Sequence, residues 1–279
     1  MYIFHGALTK YHPSLQGIMD KKRLNYHRAL RRDTNYIVTL HENDKNFYLR
    51  HPLLEDLPLP VYLPYGLPRN DLLFNNKYVE NSNREIREKF GLQNKQIVLY
   101  APTFRDYDIN PFLIIKEENV MFLNSWLENN NTVFIYRPHY FSGIIKSEYL
   151  KKASNIITVD SKLEGDTQKL LCACNALITD YSSIFIDFLI LQRPILFFPF
   201  DLDYYLKNNG LTIDFSNRAD VPGKQVFTWN ELMEELPVLI GNTKLTINYS
   251  ESITRYFSNF DGDSSKRIWK FILNEIVEV

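Results

Sequence analysis

The chain has few of the features that define several classes of protein. It contains 10 glycines among 279 residues, so internal repeats and flexible linkers are not expected. It has no run of about 18 or more apolar residues, so the sequence predicts no membrane-spanning helix. Its formal net charge is −1, so an anionic partner would have to be bound by a local basic patch and not by the overall charge.

Cysteine is equally scarce, since Cys172 and Cys174 are the two in the sequence. Residues two apart in a helix or strand are poorly placed to bridge each other, so we interpret both as buried small side chains. No signal peptide is evident at the start of the sequence. These features favour a reducing, cytoplasmic compartment, with a peripheral position at the inner face of the cell membrane as the alternative.

The sequence pattern changes near residue 80. Before it, proline-punctuated sequence predicts short strands at 36–40 and 61–63 with one helix at 42–50 between them. Immediately after it, Ser82 and Glu85 have the spacing of a capping box, which predicts the start of a helix. Gly91 stands where a helix-ending glycine is expected.

From there, short apolar runs alternate with helical stretches. Apolar runs of this kind are typical of parallel strands buried on both faces, and their alternation with helices predicts a doubly wound α/β sheet. An apolar stripe in residues 264–279 predicts a final helix. The predicted strands are 97–101, 132–136, 156–159, 176–179 and 195–198, and the predicted helices are 120–130, 167–174 and 182–191.

Ligands of open α/β sheets bind beyond the carboxyl ends of the strands, and this rule selects the loops 102–105, 137–139 and 180–183. Ser182 and Ser183 open a helix, where hydroxyls and unpaired backbone N–H groups can hold phosphate oxygens. Three arginines on or near these loops are candidates to neutralise a diphosphate. They are Arg105, Arg137 and Arg193.

Each of these residues alone has a simpler explanation. A serine at a helix start caps the helix, a lone arginine pairs with a surface acid, and His139 alone is more often structural. The coincidence of Arg, His and Ser on three loops at one predicted edge favours a phosphate site.

Two other features are candidates for binding sites. Asp201 and Asp203 are spaced like a metal-binding pair, but without further ligands nearby we predict no metal site. The segment 21–32 carries six positive charges and no acid, and we interpret it either as a dock for anionic lipid or a polyphosphate acceptor, or as a solvated helix face. The six are Lys21, Lys22, Arg23, Arg28, Arg31 and Arg32.

A set of short motifs follows in a fixed order along the chain. They are Tyr100-Ala101-Pro102-Thr103-Phe104-Arg105, Tyr136-Arg137-Pro138-His139, Thr179-Asp180-Tyr181-Ser182-Ser183 with Asp187, and Arg193-Pro194-Ile195-Leu196-Phe197-Phe198, flanked by Gly66-Leu67-Pro68-Arg69-Asn70-Asp71, Pro222-Gly223 and Phe260-Asp261-Gly262 with Ser265 and Arg267. Together they resemble the CDP-glycerol glycerophosphotransferase family of teichoic acid and capsule synthesis. Near the start, His5 stands in a stretch, residues 4–10, that resembles the family's Trp-His-Gly-Thr-Pro-Leu-Lys, with substitutions at the Trp, Thr and Pro positions.

The resemblance implies a GT-B fold, in which two Rossmann-like domains face a cleft and the C-terminal one binds the nucleotide. On this basis we expect a partial, abbreviated or truncated acceptor-side domain over residues 1–80 and a donor-binding Rossmann-like domain over 81–260. We expect residues 261–279 to form a helix that packs back toward the N-terminal part.

The resemblance also implies transfer of glycerol phosphate, or a related polyol phosphate, from a CDP-activated donor to a hydroxyl of a teichoic acid or capsular polysaccharide, with release of CMP. His5 would accept the hydroxyl proton, and His139 with Arg137 would stabilise the phosphoryl group and the leaving CMP. Asp180 and Asp187 either orient loops or contact the nucleotide. The expected donor-binding residues are Thr103, Arg105, Arg137, Asp180, Ser182, Ser183, Asp187, Arg193 and Arg267.

The resemblance implies no cofactor, no metal and no nucleic-acid partner; the acceptor would be a polyol phosphate, a lipid-linked molecule or a polysaccharide. Two alternatives stay open. One is another enzyme that uses the same phosphate-binding edge, either a GT-B glycosyltransferase or a nucleotide-sugar epimerase. The other is a truncated, non-catalytic fragment that binds a nucleotide.

Overall fold

The structure is a computed structural model that describes residues 1–3, 9, 21–46, 54–105, 116–139, 148–241 and 248–277. Contacts within the chain divide it into two compact units. The first unit comprises Met1–Phe74, Asp201–Pro222 and Tyr249–Val279, and the second comprises Asn75–Phe200 and Gly223–Asn248. The expected donor domain over 81–260 differs from the second unit, because residues 201–222 and 249–260 group with the first.

Short strands and helices follow one another along the chain. The strands are β1 (Tyr2–Ile3), β2 (Tyr36–Val38), β3 (Val61–Leu63), β4 (Gln96–Ala101), β5 (Thr132–Tyr136), β6 (Ile156–Thr158), β7 (Ala176–Thr179), β8 (Ile195–Phe197) and β9 (Lys224–Gln225). The α-helices are α1 (Lys21–Arg32), α2 (Pro68–Asp71), α3 (Asn76–Phe90), α4 (Glu117–Asn129), α5 (Glu148–Lys152), α6 (Thr167–Ala173), α7 (Ile184–Leu189), α8 (Leu202–Asn208), α9 (Trp229–Gly241), α10 (Ser250–Tyr256) and α11 (Ser264–Ile272).

The first unit contains a parallel sheet in the order β1–β2–β3. Ile37 and Val38 of its middle strand are fully buried, as the sequence predicts for an apolar strand. The helix predicted over 42–50 is a 3-10 helix, Glu42–Asn46, and residues 47–50 lie outside the described part of the chain. In α11, the ring of Phe271 packs edge-on against Tyr36, with ring centroids 4.9 Å apart.

The second unit contains a parallel sheet in the order β6–β5–β4–β7–β8–β9. Ile97, Val98 and Leu99 follow one another along β4 and are all fully buried, although successive residues of a strand face opposite sides. Both faces of the sheet are therefore covered. The predicted α/β class with parallel strands is confirmed, and β4 to β8 agree with the predicted strands to within one residue at each end.

The start of α3 corrects one prediction. The helix begins at Asn76, where the side chain of Asn75 accepts the backbone N–H of Tyr78, and not at Ser82, which is buried within the helix. Asn75 provides the capping oxygen two turns earlier than the capping-box pattern suggests. Gly91 ends the helix with a φ of +67°, as predicted.

None of the helices in the described ranges combines the length and the apolar character that crossing a membrane requires.

Candidate functional site

The order of strands in the second unit selects one position on its sheet. From β4 the chain continues to β5 and β6 on one side, whereas β7, β8 and β9 lie on the other. The neighbouring strands β4 and β7 therefore form the topological switch point, where open α/β sheets bind ligands beyond the carboxyl ends of the strands. The loops that leave these two ends are residues 102–105 and 180–183.

A single buried carboxylate joins these two loops. Asp180 Oδ1 accepts the backbone N–H of Thr103 at 2.8 Å and that of Tyr181 at 2.6 Å. Asp180 Oδ2 lies 2.8 Å from Arg105 Nη1 in an ion pair that is almost completely inaccessible to solvent. The loop after β4 is thus tied to the loop after β7 by both a main-chain hydrogen bond and an ion pair.

Arg105 was expected to neutralise a diphosphate, but its guanidinium is enclosed by the protein. It lies over the rings of Tyr181 and Phe200, 5.0 and 5.3 Å from their centroids, and Nη1 also donates to the carbonyl of Thr103 at 2.6 Å. Its side chain is 1% exposed. The structure therefore places Arg105 with Asp180 in the interior behind the loops.

A cavity of about 490 Å³ opens in front of the same loops. Three of the residues expected to form the site line it, namely Arg137, His139 and Ser182. The imidazole of His139 packs against Phe104, with ring centroids 5.7 Å apart. The full lining is Ala101, Pro102, Arg137, Pro138, His139, Ser161, Gly165, Thr167, Ser182 and Ile184.

Arg137 is held in place by main-chain carbonyls of the loop after β6. Its Nη1 donates to the carbonyl oxygens of Val159, Asp160 and Glu164 at 3.1, 2.7 and 2.6 Å. Burial lowers the pKa of the guanidinium from its ordinary value, while the charges of Glu164 and Asp160 oppose that shift. An arginine stays protonated under such conditions, so a fixed positive charge stands at the cavity wall.

The loop over residues 160–167 is itself ordered by side-chain caps. Asp160 Oδ1 accepts the N–H groups of Lys162 and Leu163, and Asp166 Oδ1 caps the first turn of α6. This loop brings Ser161, Gly165 and Thr167 to the cavity, and none of them was predicted. The rule that selected the other three loops also applies to the end of β6, so the sequence did contain a signal for them.

Hydroxyl groups stand at the start of α7 and after the end of β4, and they differ in their hydrogen bonds. Ser182 Oγ accepts the N–H of Ile184 at 3.4 Å, and Ser183 is the N-cap residue of α7 without a side-chain capping bond. The hydroxyl of Thr103 is buried and has no hydrogen-bond partner in the described ranges. A buried hydroxyl without a partner is costly, and Thr103 follows Pro102, which lines the cavity.

Asp187 and Arg193 are two further expected donor-binding residues of this unit that do not line the cavity. Asp187, in α7, is buried and accepts from Gln168 Nε2 at 3.3 Å. Arg193 precedes β8 and donates to carbonyls at the end of α6 and before β7, among them those of Cys172 and Cys174 at 2.8 and 2.6 Å. It therefore lies at the amino edge of the sheet, opposite the cavity, where it holds the chain entering β7.

Arg267 belongs to the first unit. It forms a two-pronged ion pair with Asp261, at 2.7 and 3.0 Å, and its Nε donates to the carbonyl of Tyr65. A groove of about 260 Å³ runs beside it. His5 and the rest of residues 4–8 lie outside the described residues.

The basic segment is largely engaged within the first unit. Arg28 pairs with Asp56, Arg32 pairs with Asp33, and Arg31 is buried, where it donates to the carbonyls of Leu57 and Pro58. Lys21 and Lys22 remain exposed. The uncompensated charge on α1 is therefore smaller than the sequence predicts, which weakens the interpretation as a dock for anionic lipid.

No group of three or more His, Cys, Asp or Glu side chains with metal-binding geometry occurs in the described part of the chain.

Comparison with known sequences identifies relatives along most of the chain. The sequence model of the family described as CDP-Glycerol:Poly(glycerophosphate) glycerophosphotransferase matches residues 19–274. The chain is 32% identical over 229 residues to the teichoic acid glycerol-phosphate primase of Bacillus subtilis (strain 168), covering 76% of this chain and 54% of that protein. It is 36% identical over 229 residues to the teichoic acid poly(glycerol phosphate) polymerase of Bacillus spizizenii, covering 76% and 53%. The chain thus spans about half the length of these curated relatives.

Solved structures give a consistent result. A variant of the wall teichoic acid polymerase TagF, soaked with CDPG for 15 minutes, matches with a TM-score of 0.76 and 25% identity over 99% of this chain and 68% of that one. Another TagF structure matches with a TM-score of 0.74 and 26% identity over the same shares. The fold is therefore like that of TagF.

Proposed function

This chain belongs to the CDP-glycerol:poly(glycerophosphate) glycerophosphotransferase family, and from that premise we propose that it transfers a polyol phosphate from a CDP-activated donor to an acceptor hydroxyl. The group transferred is glycerol phosphate or a related polyol phosphate. The acceptor is a teichoic acid or a capsular polysaccharide, and CMP is released. Curated relatives named for glycerol phosphate and for ribitol phosphate both match the chain.

The observation that carries the proposal is the cavity at the switch point of the second unit. Its volume of about 490 Å³ lies within the usual range for a small-molecule site, roughly 300–1,000 Å³. Arg137, His139 and Ser182 reach it from two different loops, and each offers a group that binds phosphate oxygens well. We propose that the cytidine diphosphate part of the donor binds here.

The proposed reaction forms one bond and breaks another at the same phosphorus. The acceptor oxygen forms a bond to the β-phosphorus, and the bond from that phosphorus to the oxygen bridging the two phosphates breaks. CMP leaves with the bonding electron pair. We propose that His139 and Arg137 stabilise the negative charge on the transferred phosphoryl group and on CMP, since preorganised donors are most effective where charge develops.

The acceptor hydroxyl must lose its proton, and we propose His5 as the base. Imidazole titrates close to neutral pH, which suits it to this task. The support for His5 is the sequence resemblance of residues 4–10. We also propose that Thr103 directs its unpartnered hydroxyl to a donor phosphate, and that Ser182 and Ser183 contribute at the start of α7.

Product analysis tests the proposal. The protein is incubated with CDP-glycerol or CDP-ribitol and a matched polyol-phosphate acceptor, and CMP release and acceptor mass are measured. We expect CMP together with acceptor that has gained one or more polyol-phosphate units. Consumption of donor in the absence of acceptor would contradict the proposal in favour of an epimerase or hydrolase. Binding of CDP without turnover of either donor would indicate a non-catalytic nucleotide-binding chain.

A further inference from the structure

Arg105 and Asp180 form the most enclosed ion pair described at the carboxyl edge of the second unit's sheet. We propose that the two act as a positioning pair, which holds the loops after β4 and β7 at a fixed spacing across the switch point without contacting the donor. The proposal deepens the proposed function and rests on it for the nature of the ligand. It differs from the expectation that Arg105 neutralises the diphosphate directly.

The hydrogen bonds of Asp180 show how the spacing is set. One of its oxygens accepts the backbone N–H of Thr103, from the loop after β4, and that of Tyr181, from its own loop. The other oxygen pairs with Arg105 at 2.8 Å. A displacement of either loop would break a charge-assisted bond in the interior, where such bonds are strong.

The surroundings of Arg105 explain why it does not serve as a donor ligand. Its guanidinium lies against the rings of Tyr181 and Phe200 and donates to the carbonyl of Thr103. Because 1% of its side chain is exposed, a diphosphate in the cavity could reach it only if these rings moved.

The residues that this pair positions are the ones next to it in sequence. Pro102 precedes Thr103 and lines the cavity, and Ser182 follows Tyr181 and lines it too. The buried hydroxyl of Thr103 is carried by the same residue whose N–H binds Asp180. A shift in the pair would therefore move the cavity wall and the Thr103 hydroxyl together.

At their other ends, the same two strands are joined by Arg87, which provides a matched control. Arg87 donates to the carbonyl of Lys95, before β4, and to Asn175 Oδ1, before β7. It too is an arginine that ties β4 to β7, but it lies at the amino edge. Substitution of Arg87 therefore shows how much CDP affinity is lost when β4 and β7 are joined less firmly far from the cavity.

The test measures CDP and cytidine affinities by calorimetry for Arg105→Lys, Asp180→Asn, the double variant and Arg87→Lys. Asp180→Asn keeps an oxygen for the Thr103 and Tyr181 amides, so it perturbs the pair with little change of shape. We expect each carboxyl-edge single variant to weaken CDP binding by about tenfold or more, the scale of one charged hydrogen bond. The double variant should be no worse than the singles, because the two side chains act as one unit. Cytidine affinity should change less, and Arg87→Lys should bind CDP as the wild type does.

Two patterns of affinity would overturn the proposal. If Arg105→Lys loses CDP binding while Asp180→Asn keeps it, Arg105 is itself a phosphate ligand. If the carboxyl-edge variants bind CDP as well as Arg87→Lys does, the pair contributes stability alone.

Amide hydrogen exchange separates this proposal from the proposed function. A wild-type protein that binds no CDP would contradict the proposed function. The exchange rates of the Thr103 and Tyr181 amides would still test the pair. We expect both amides to exchange slowly in the wild type and faster in Arg105→Lys. Fast exchange of these two amides in the wild type would overturn the positioning role, even if no variant folds well enough to assay.

Discussion

In the sheet of the second unit, an arginine joins β4 to β7 at each edge. The two edges differ because a cavity opens in front of the carboxyl edge. At the amino edge, Arg87 donates to the carbonyl of Lys95 and to the side-chain oxygen of Asn175. That oxygen also accepts the backbone N–H of Ile97 at 2.9 Å, so β4 and β7 are joined here. At the carboxyl edge, Arg105 and Asp180 join the same strands through a buried ion pair. A cavity whose lining includes Arg137, His139 and Ser182 lies in front of the carboxyl edge.

Stability and the proposed function therefore depend on opposite edges of this sheet. At the amino edge, the guanidinium of Arg87 is bonded to carbonyls and an amide of the protein itself, so this edge serves the sheet. A charged carboxyl edge fixes the loops, and the hydroxyl of Thr103 there has no partner within the described residues. Substitutions at the two edges should therefore affect different measurements, stability at one and catalysis or binding at the other.

The largest effect is expected from His139→Ala. Loss of the imidazole removes a group proposed to stabilise the reacting phosphoryl, so turnover should fall by about 10²-fold or more, the scale of lost general acid–base catalysis. Initial rates of CMP release at saturating donor measure it. His41→Ala is a control in the first unit, where the His41 ring accepts the N–H of Asn43. Full turnover by a folded His139→Ala protein would remove this residue from the mechanism.

Arg137→Lys should have the next largest effect. A lysine keeps the charge, but its side chain is one atom shorter and ends in a single nitrogen. It cannot replace both the Nη1 bonds to the carbonyls of the loop after β6 and the Nη2 bond to Thr167 Oγ1, so the charge and the loop lose their alignment. We expect kcat/KM to fall by about 10- to 100-fold, corresponding to about 1.5–3 kcal/mol for a charged hydrogen bond. An unchanged kcat/KM would mean that Arg137 supports the loop without acting on the donor.

At the amino edge, Arg87→Met should lower stability and leave catalysis alone. The substitution removes the bonds from Arg87 to the partly buried carbonyls of Leu92 and Lys95, of which Leu92 keeps the Lys95 N–H, and this should cost about 1–3 kcal/mol of unfolding free energy. Urea denaturation measures the loss, and the rate of CMP release per folded molecule should be unchanged. A fall in kcat/KM comparable to that of Arg137→Lys would contradict the assignment of the amino edge to stability alone.

The smallest expected effect concerns the two cysteines near the same edge. Burial raises the pKa of Cys172 to about 11 and that of Cys174 to about 12, so neither thiol is ionised near neutral pH. Because the thiolate is the reactive form, a thiol reagent at pH 8 should leave the native protein unlabelled. Labelling should appear in urea in step with unfolding. Rapid labelling of the native protein would show that the amino edge opens more readily than its packing indicates.

Much of the second unit could be predicted because its strands are short apolar runs buried on both faces. Such runs are visible in the sequence, and the carboxyl-end rule then selected the loops with Arg137, His139 and Ser182. The start of α3 was mispredicted because Ser82 and Glu85 match a capping box inside a helix already begun at Asn75. Local spacing does not reveal which of two capping signals is used.

The remaining differences between expectation and structure concern long-range contacts. The sequence shows that Arg105 and Arg193 stand near strand ends, but not that one is buried against Asp180 and the other bonds to carbonyls of Cys172 and Cys174. The order of the strands in the sheet decides which residues face the cavity, and that order is known only from the folded structure. Long-range contacts also group residues 201–222 and 249–260 with the first unit, whereas the sequence places them in the expected donor domain.

We propose that the nucleotide of a CDP-polyol binds at the carboxyl edge of β4 and β7. Titration of the isotope-labelled protein with CMP, followed by backbone amide NMR, tests it most directly. We expect saturable shifts in residues 102–105, 137–139, 161–167 and 182–184, with the amides of Ile97 and Asn175 at the amino edge unmoved. Shifts centred elsewhere in the chain, or none at millimolar CMP, would contradict it.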